Sequence, residues 1–209
     1  DLVANGAEAE ALNRLLAVDD QLRTHEEKAA WVRGIATAGQ IVAAGVAVVA
    51  ALAIGGAVGL VNGMLVSLTK LPAFIATLGT MTLISGLNIL LSNGTVISGF
   101  PTAIQYLGNA TIAGIPVALL LFFLVAILLW VLLEHTTLGR SLYLVGSNEQ
   151  ATRYSGVNTV RVQISVYVIS ALLGWVAAIL MMAKFNSAKA GYGESYLLVT
   201  ILASVLGGI

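Results

Sequence analysis

Three stretches of this chain carry no charged side chain: Gly34 to Thr69, Leu71 to Leu133 and Val162 to Ala183. A membrane-spanning helix needs about 20 mostly apolar residues, and uncharged runs longer than that belong in a bilayer. A soluble domain carries about a quarter charged residues. Here the share is 10%, against 58% apolar. A transmembrane barrel would read as short alternating segments, which are absent. The expected fold is an all-α polytopic membrane protein, a bundle of about four to five membrane helices.

The spans are expected at about 36–64, 73–91, 116–133 and 162–183, with a last apolar stretch, 196–206, too short to cross. In the first, Gly55, Gly59 and Gly63 repeat a small residue every fourth position, a face that lets another helix approach closely. Ser170, Gly174 and Ala178 make the same pattern in the fourth. Pro72, after Lys70, is well placed to open the second span. That span is less greasy than the first, with Thr77, Thr80, Thr82, Ser85 and Asn88. Serine and threonine commonly bond their own helix backbone. An amide in hydrocarbon must find partners, so Asn88 is the stronger candidate for a translocation pathway, with Asn62, Thr80, Ser92 and Asn93 beside it.

The ends and links differ in character. Residues 1–35 form a polar N-terminal segment and 36–209 the membrane domain. The first 33 residues hold seven of the ten acidic and four of the ten basic residues, a net charge of −3. Leu12, Leu15, Leu16 and Leu22 fall at helical spacing, so 7–22 reads as an amphipathic helix. Thr24 with Glu27 reads as a capping box opening a second helix, and Trp31 and Arg33 suit a membrane–water boundary. The uncharged linker 92–115 suits a partly re-entrant turn, with a short helical piece near Pro101 to Leu107; a simple exterior loop accounts for it nearly as well.

One long polar stretch, 134–161, separates the third and fourth spans and holds Arg140, Arg153 and Arg161. Ser147 reads as a helix cap, Gln150 as its capping-box partner, Gly156 as the stop and Asn158 as the cap of the next helix. From the residues alone an ordinary loop with a surface helix is slightly favoured over a docking element. The arginines place this loop, with Lys70, on the cytoplasmic side and the linker 92–115 opposite. Lys184 and Lys189 then fall outside, a mild exception, as do residues 1–33.

The chemistry of the chain is mostly one of exclusions. There is no cysteine, and His25 and His135 lack neighbours at ligand spacing, so no metal site is expected. No phosphate-binding Gly-x-x-x-x-Gly-Lys-Ser/Thr occurs, no nucleophile–base pair, and no acidic residue inside a span. The chain is expected to have no catalytic site and no cofactor. Its formal net charge of zero gives nothing for nucleic acid to bind. What remains is an Asn/Ser/Thr surface suited to neutral hydroxylated solutes.

Gly59-Leu-Val-Asn-Gly-Met-Leu-Val66, Leu71-Pro-Ala-Phe-Ile-Ala-Thr-Leu-Gly-Thr-Met81 and Ser92-Asn-Gly-Thr-Val-Ile-Ser-Gly-Phe-Pro101 resemble the monosaccharide-type ABC importer permeases. The resemblance continues through Leu138-Gly-Arg140, Tyr143, Val145 to Glu149, Ala151, Arg153, Ser155 to Val157 and Val168 to Leu173, and resumes at Phe185 to Ala188, Gly191-Tyr192 and Val205 to Gly208. It covers about 55–209; the family's upstream spans and closing helices have no counterpart, so a partial permease is expected. The resemblance implies that 147–156 is a cytoplasmic coupling helix docking on a separate ATPase subunit. Gly139, Arg140, Ser147, Asn148, Glu149, Gln150, Arg153, Ser155 and Gly156 would be the coupling residues. It also implies a periplasmic or extracellular sugar-binding protein, a second permease subunit, membrane lipid around the spans and a place in the bacterial inner membrane. Two other readings stay open: a truncated membrane scaffold that transports nothing, and an unpowered channel for neutral solutes, against which the elaborate cytoplasmic loop argues.

Overall fold

A computed structural model describes residues 2–207. The side chains of Leu12, Leu15, Leu16, Leu22, Thr24 and Glu27 lie outside the described residues, as does Gly208. Contacts group the chain into two compact units, Asp1–Val46 and Ala47–Ile209. The first is the N-terminal part of one helix, α1 (Leu2–Thr69). The second comprises the rest of α1 and α2 (Ala73–Ser92), β1 (Ile97–Ser98), α3 (Thr102–Asn109), β2 (Thr111–Ile112), β3 (Ile115–Pro116), α4 (Val117–His135), α5 (Thr137–Ser147), α6 (Glu149–Tyr154), α7 (Thr159–Phe185), β4 (Ser187–Ala188) and α8 (Glu194–Leu206).

No helix opens at residue 24, contrary to the capping box expected there; α1 runs through it unbroken. A cap contributes about 1 kcal/mol. Breaking a helix leaves about four N–H and four C=O groups without partners at the new ends. No proline lies between residues 2 and 71 to force the break. The helix stops where Lys70 takes φ +55° and Leu71 precedes Pro72. A residue before proline is steered out of the α region, and Pro72 itself serves as the cap of α2.

Among the described residues, four helices are long and apolar enough to cross a membrane: Ala29–Thr69 of α1, α2, α4 and α7. At 13 residues α8 is too short, as expected. Among the described residues only Ala76 and Ala183 are buried apolar side chains, while Leu119, Phe122, Phe123 and Ile127 of α4 are exposed. That inversion suits lipid as the solvent: lipid tails are as apolar as leucine, so helices associate through close contacts and polar bonds.

Those contacts lie at glycines. A Cβ on Gly59 would come within 2.7 Å of both the Tyr167 carbonyl oxygen and Ala171 Cβ, and one on Gly63 within 2.9 Å of Ile164 Cα. So α1 and α7 meet backbone to backbone there, whereas Gly55 has ordinary clearance, 3.7 Å from Trp175 Cβ. The small-residue stripe expected on α7 is not the face that meets α1. Gly174 has nothing within 4 Å and Ser170 is exposed; the face meeting α1 carries Ile164, Tyr167, Val168 and Ala171. A third close approach, missed in the sequence, sets α3 against the end of α7. A Cβ on Gly108 would lie 2.6 Å from the Ala183 carbonyl carbon, and Ala183 is fully buried.

The linker 92–115 holds the expected short helix, α3, and contributes strands to two small sheets. One is the β2–β3 hairpin, turned by Ala113 and Gly114, both at positive φ. The other pairs β1 with β4 antiparallel, Ile97 opposite Ala188, joining the linker to the turn after α7. Phe100 N–H donates to Asn186 Oδ1 at 3.0 Å and Asn109 Nδ2 to the Ala183 carbonyl at 3.3 Å, fixing the same junction.

Candidate functional site

The polar segment after α4 is a chain of three capped helices. Thr136 Oγ1 accepts from Gly139 N–H at 3.2 Å and opens α5, a helix absent from the sequence-based expectation. Gly139 is buried in this corner, and a Cβ there would overlap the Leu133 carbonyl. Its place is therefore a packing one, while its neighbour Arg140 is exposed.

The expected helix 147–156 starts later than its sequence signals suggest. Ser147 is the last residue of α5, and Asn148 closes one helix and opens the next. Its N–H donates to the Leu144 carbonyl at 3.0 Å, and its Oδ1 accepts from Ala151 N–H at 3.0 Å. Asn148, not Ser147, is the cap, and Gln150 lines a groove instead of closing a capping box. One turn on, Thr152 is only 5% exposed, its hydroxyl 2.8 Å from the Leu144 and Asn148 carbonyls, and ties α6 down onto α5.

The end of α6 is as expected and more fully specified. Gly156 N–H donates to the Arg153 carbonyl at 3.1 Å and Val157 N–H to the Thr152 carbonyl at 3.3 Å, with Gly156 at φ +85°. This is a Schellman closure, which favours glycine at the left-handed position. Ser155 donates its hydroxyl to the Ala151 carbonyl at 3.0 Å, a local bond. Asn158 Oδ1 then accepts from Arg161 N–H at 3.1 Å and caps α7.

With Thr152 facing inward, Glu149, Gln150, Arg153 and Tyr154 face outward. They form one wall of a groove of about 730 Å³ whose other wall is the α1–α2 turn, with Ser67, Lys70 and Leu71, and Gln163 of α7. Tyr154 is 92% exposed. Sequence reasoning did not single out Tyr154, Lys70 or Gln163 as groove residues; Tyr154 was detectable as the aromatic adjoining Arg153 in a helix of otherwise polar surface.

The candidate pathway residues divide into two groups. Thr80 donates to Asn62 Oδ1 at 2.7 Å, a clasp between α2 and α1. Asn93 is the left-handed C-cap of α2, at φ 49°. Asn88 and Ser92 instead line a hollow of about 300 Å³ with Thr95 and Lys189. It lies at the end of α2 remote from the groove, beside the β1–β4 pair.

A family model described as "Branched-chain amino acid transport system / permease component" matches residues 29–209. A ribose import permease protein of Bacillus subtilis is 40% identical over 149 residues, covering 70% of this chain and 46% of its own length. The ribose import permease protein of Escherichia coli is 40% identical over 167 residues, covering 78% of this chain and 52% of its own. An autoinducer 2 import system permease protein of Yersinia enterocolitica is 36% identical over 169 residues, covering 78% and 51%. The chain thus spans about half the length of these curated relatives. No solved structure matches it. Four membrane-length helices, their glycine-mediated contacts and this match over most of the chain lead to one conclusion: the chain belongs to the branched-chain amino acid transport system / permease component family.

Proposed function

We propose that this chain is membrane-spanning material of a permease subunit in an ATP-driven importer for a monosaccharide or a similar neutral polar solute. In this reading it sits in the bacterial inner membrane and catalyses nothing itself. A separate ATPase subunit docks on the groove between α6 and the α1–α2 turn, a soluble sugar-binding protein delivers solute from the other side, and a second permease subunit completes the pathway. The observation that carries the reading is the build of α6. Its inner face is bonded to α5 through Thr152, both its ends are closed, and its outer face presents Glu149, Gln150, Arg153 and an almost wholly exposed Tyr154. A short helix held at both ends and bonded to its neighbour can pass a force from a docked partner into α7. The similarity to sugar import permeases points the same way.

The test is copurification with candidate ATPase subunits, followed by solute uptake in reconstituted vesicles. Gly156→Val forces a β-branched residue into φ +85° and should uncouple ATP hydrolysis from uptake. Tyr154→Ala should weaken ATPase binding by about tenfold or more, the usual cost of losing an aromatic anchor. Glu149→Lys should slow association in a salt-dependent way. Normal binding and uptake by all three would remove α6 from the mechanism.

A further inference from the structure

The groove beside α6 lies at the ends of two spans. Lys70 stands in the link 70–72, between the spans Ala29–Thr69 and Ala73–Ser92. Such a link reaches about 10 Å when fully extended, so Lys70 stays within the headgroup layer. Lys70 on one wall and Arg153 on the other line the same space. Among the described residues neither side chain has a hydrogen bond or an ion pair, not even Arg153 with Glu149 one turn before it. Glu149 is the one carboxylate in the lining, so the groove keeps a single positive charge. Ser67 adds a second unmet demand. Thr69, Thr77 and Thr82 donate to the Leu65, Ala73 and Leu78 carbonyls of their own helices. Ser67 borders the groove, is only 9% exposed, and its hydroxyl has no partner at all. A buried orphan of this kind calls for a ligand or a water.

We infer that this groove binds the phosphodiester of an anionic glycerophospholipid headgroup. A guanidinium fork matches two phosphate oxygens, and an ammonium adds a point charge with three donors. Arg153 and Lys70 supply one of each, and the Gln163 carboxamide a neutral donor. Basic pockets between membrane helices at the bilayer surface hold headgroups in this way. The single positive charge matches a monoanionic lipid, while a zwitterionic one gains less from it. A lipid fits better than a free phosphate because Val66 and Leu71 give the groove an apolar wall, and Leu68 and Leu71 are exposed beside it at the end of the span. The volume, about 730 Å³, is ample for a headgroup and its glycerol. The proposal needs only that the chain spans a membrane. On the permease reading, the headgroup would also compete with the ATPase for the outer face of α6.

The chain has no cysteine, so a single introduced thiol reports on the groove without background. The full chain carrying Gln150→Cys is purified in an uncharged detergent and labelled with N-ethylmaleimide, with and without dioctanoyl-phosphatidylglycerol. Thr111→Cys, in the β2–β3 hairpin and outside the groove, is the control. Labelling at 150 should slow about tenfold once the lipid exceeds its dissociation constant about tenfold, because only the empty groove reacts. Labelling at 111 should not change. Adding Lys70→Gln or Arg153→Gln should raise the half-protecting lipid concentration by about tenfold or more, with the rate at 111 unaltered as the check on folding. Glu149→Gln should lower that concentration, a direction that damage to the fold would not produce. The proposal is overturned if phosphatidylglycerol gives no protection, if dioctanoyl-phosphatidylcholine protects equally well, or if both cation variants keep full protection. Protection by inorganic phosphate or glycerol phosphate at the same concentration, with none from the lipid, would make the groove a site for free phosphate and overturn the lipid. No ATPase is present in these measurements, so a negative result sinks the headgroup site and leaves the permease reading standing.

Discussion

Gly59 and Gly174 have the same residue type, lie on helices of the same apolar character and differ only in what stands opposite. Against Gly59 are the backbone of Tyr167 and the Cβ of Ala171; against Gly174 there is open space. Gly59→Ala must therefore push α1 and α7 apart, and overpacking of this kind costs about 1–3 kcal/mol. Gly174→Ala meets nothing and should fall within about 0.5 kcal/mol of neutral, or gain slightly from helix propensity. Thermal unfolding of the two variants in detergent, followed by circular dichroism, separates them. Equal midpoints would mean that the α1–α7 contact contributes nothing to stability. The α1 stripe was legible in the sequence, because small residues at every fourth position of an apolar helix serve close packing above all else. The face of α7 that meets α1 was not legible, because only one helix of a close pair must be small: Gly59 and Gly63 leave room for Tyr167 and Ile164. Gly108 and Gly139 had no repeat to betray them, since each meets the end of a helix, α7 and α4, and not a parallel helix face.

At the scale of elements, α6 shows how two neighbouring signals compete. Ser147-x-x-Gln150 and Asn148-x-x-Ala151 are offset by one residue, and serine and asparagine are comparable caps. The second wins because α5, started by Thr136 and Gly139, continues through Ser147 and needs the Asn148 N–H to close its last turn on Leu144. Without α5 in view, nothing local decides between the two, whereas the stop at Gly156 and the cap at Asn158 were legible because glycine after a helix has a single conformational reason to be there. The geometry makes a paired prediction. Asn148→Ala should destabilise α6 locally by about 1 kcal/mol, roughly a fivefold faster hydrogen exchange at the Ala151 and Thr152 amides. Ser147→Ala should leave those rates unchanged. The reverse result would restore Ser147 as the cap.

In the whole molecule, the two ends of α2 and α7 carry different machinery. Leu71, just before α2, and Gln163, early in α7, border the groove with α6, while β1 follows α2 and β4 follows α7, paired to each other at the far end. The arginine-rich end was legible from charge; the far end was not, because two-residue strands leave no periodicity in a sequence. Their pairing requires the linker 92–115 and the turn at 186–195 to share one side, so Lys184 and Lys189 do stand apart from the arginines of 134–161. It also creates a lever. If α6 transmits motion into α7 through the Asn158 cap, a permease must part or slide the far ends of α2 and α7 to admit solute. On the permease reading proposed above, the β1–β4 pair would be a latch that opens in each cycle. Antiparallel partners stand about 4.5–5.5 Å apart at Cα. That falls within the roughly 4.4–6.8 Å a disulfide spans. In this cysteine-free chain, Ile97→Cys with Ala188→Cys should oxidise readily, measured as loss of maleimide-reactive thiol, and each single variant should not. If the chain transports and docks an ATPase as proposed, the bond should abolish uptake while leaving ATPase binding at the opposite end intact, and reductant should restore uptake. A bond that fails to form would refute the pairing. A bond that forms while uptake proceeds normally would mean the far ends of α2 and α7 move as one body, with solute passing elsewhere.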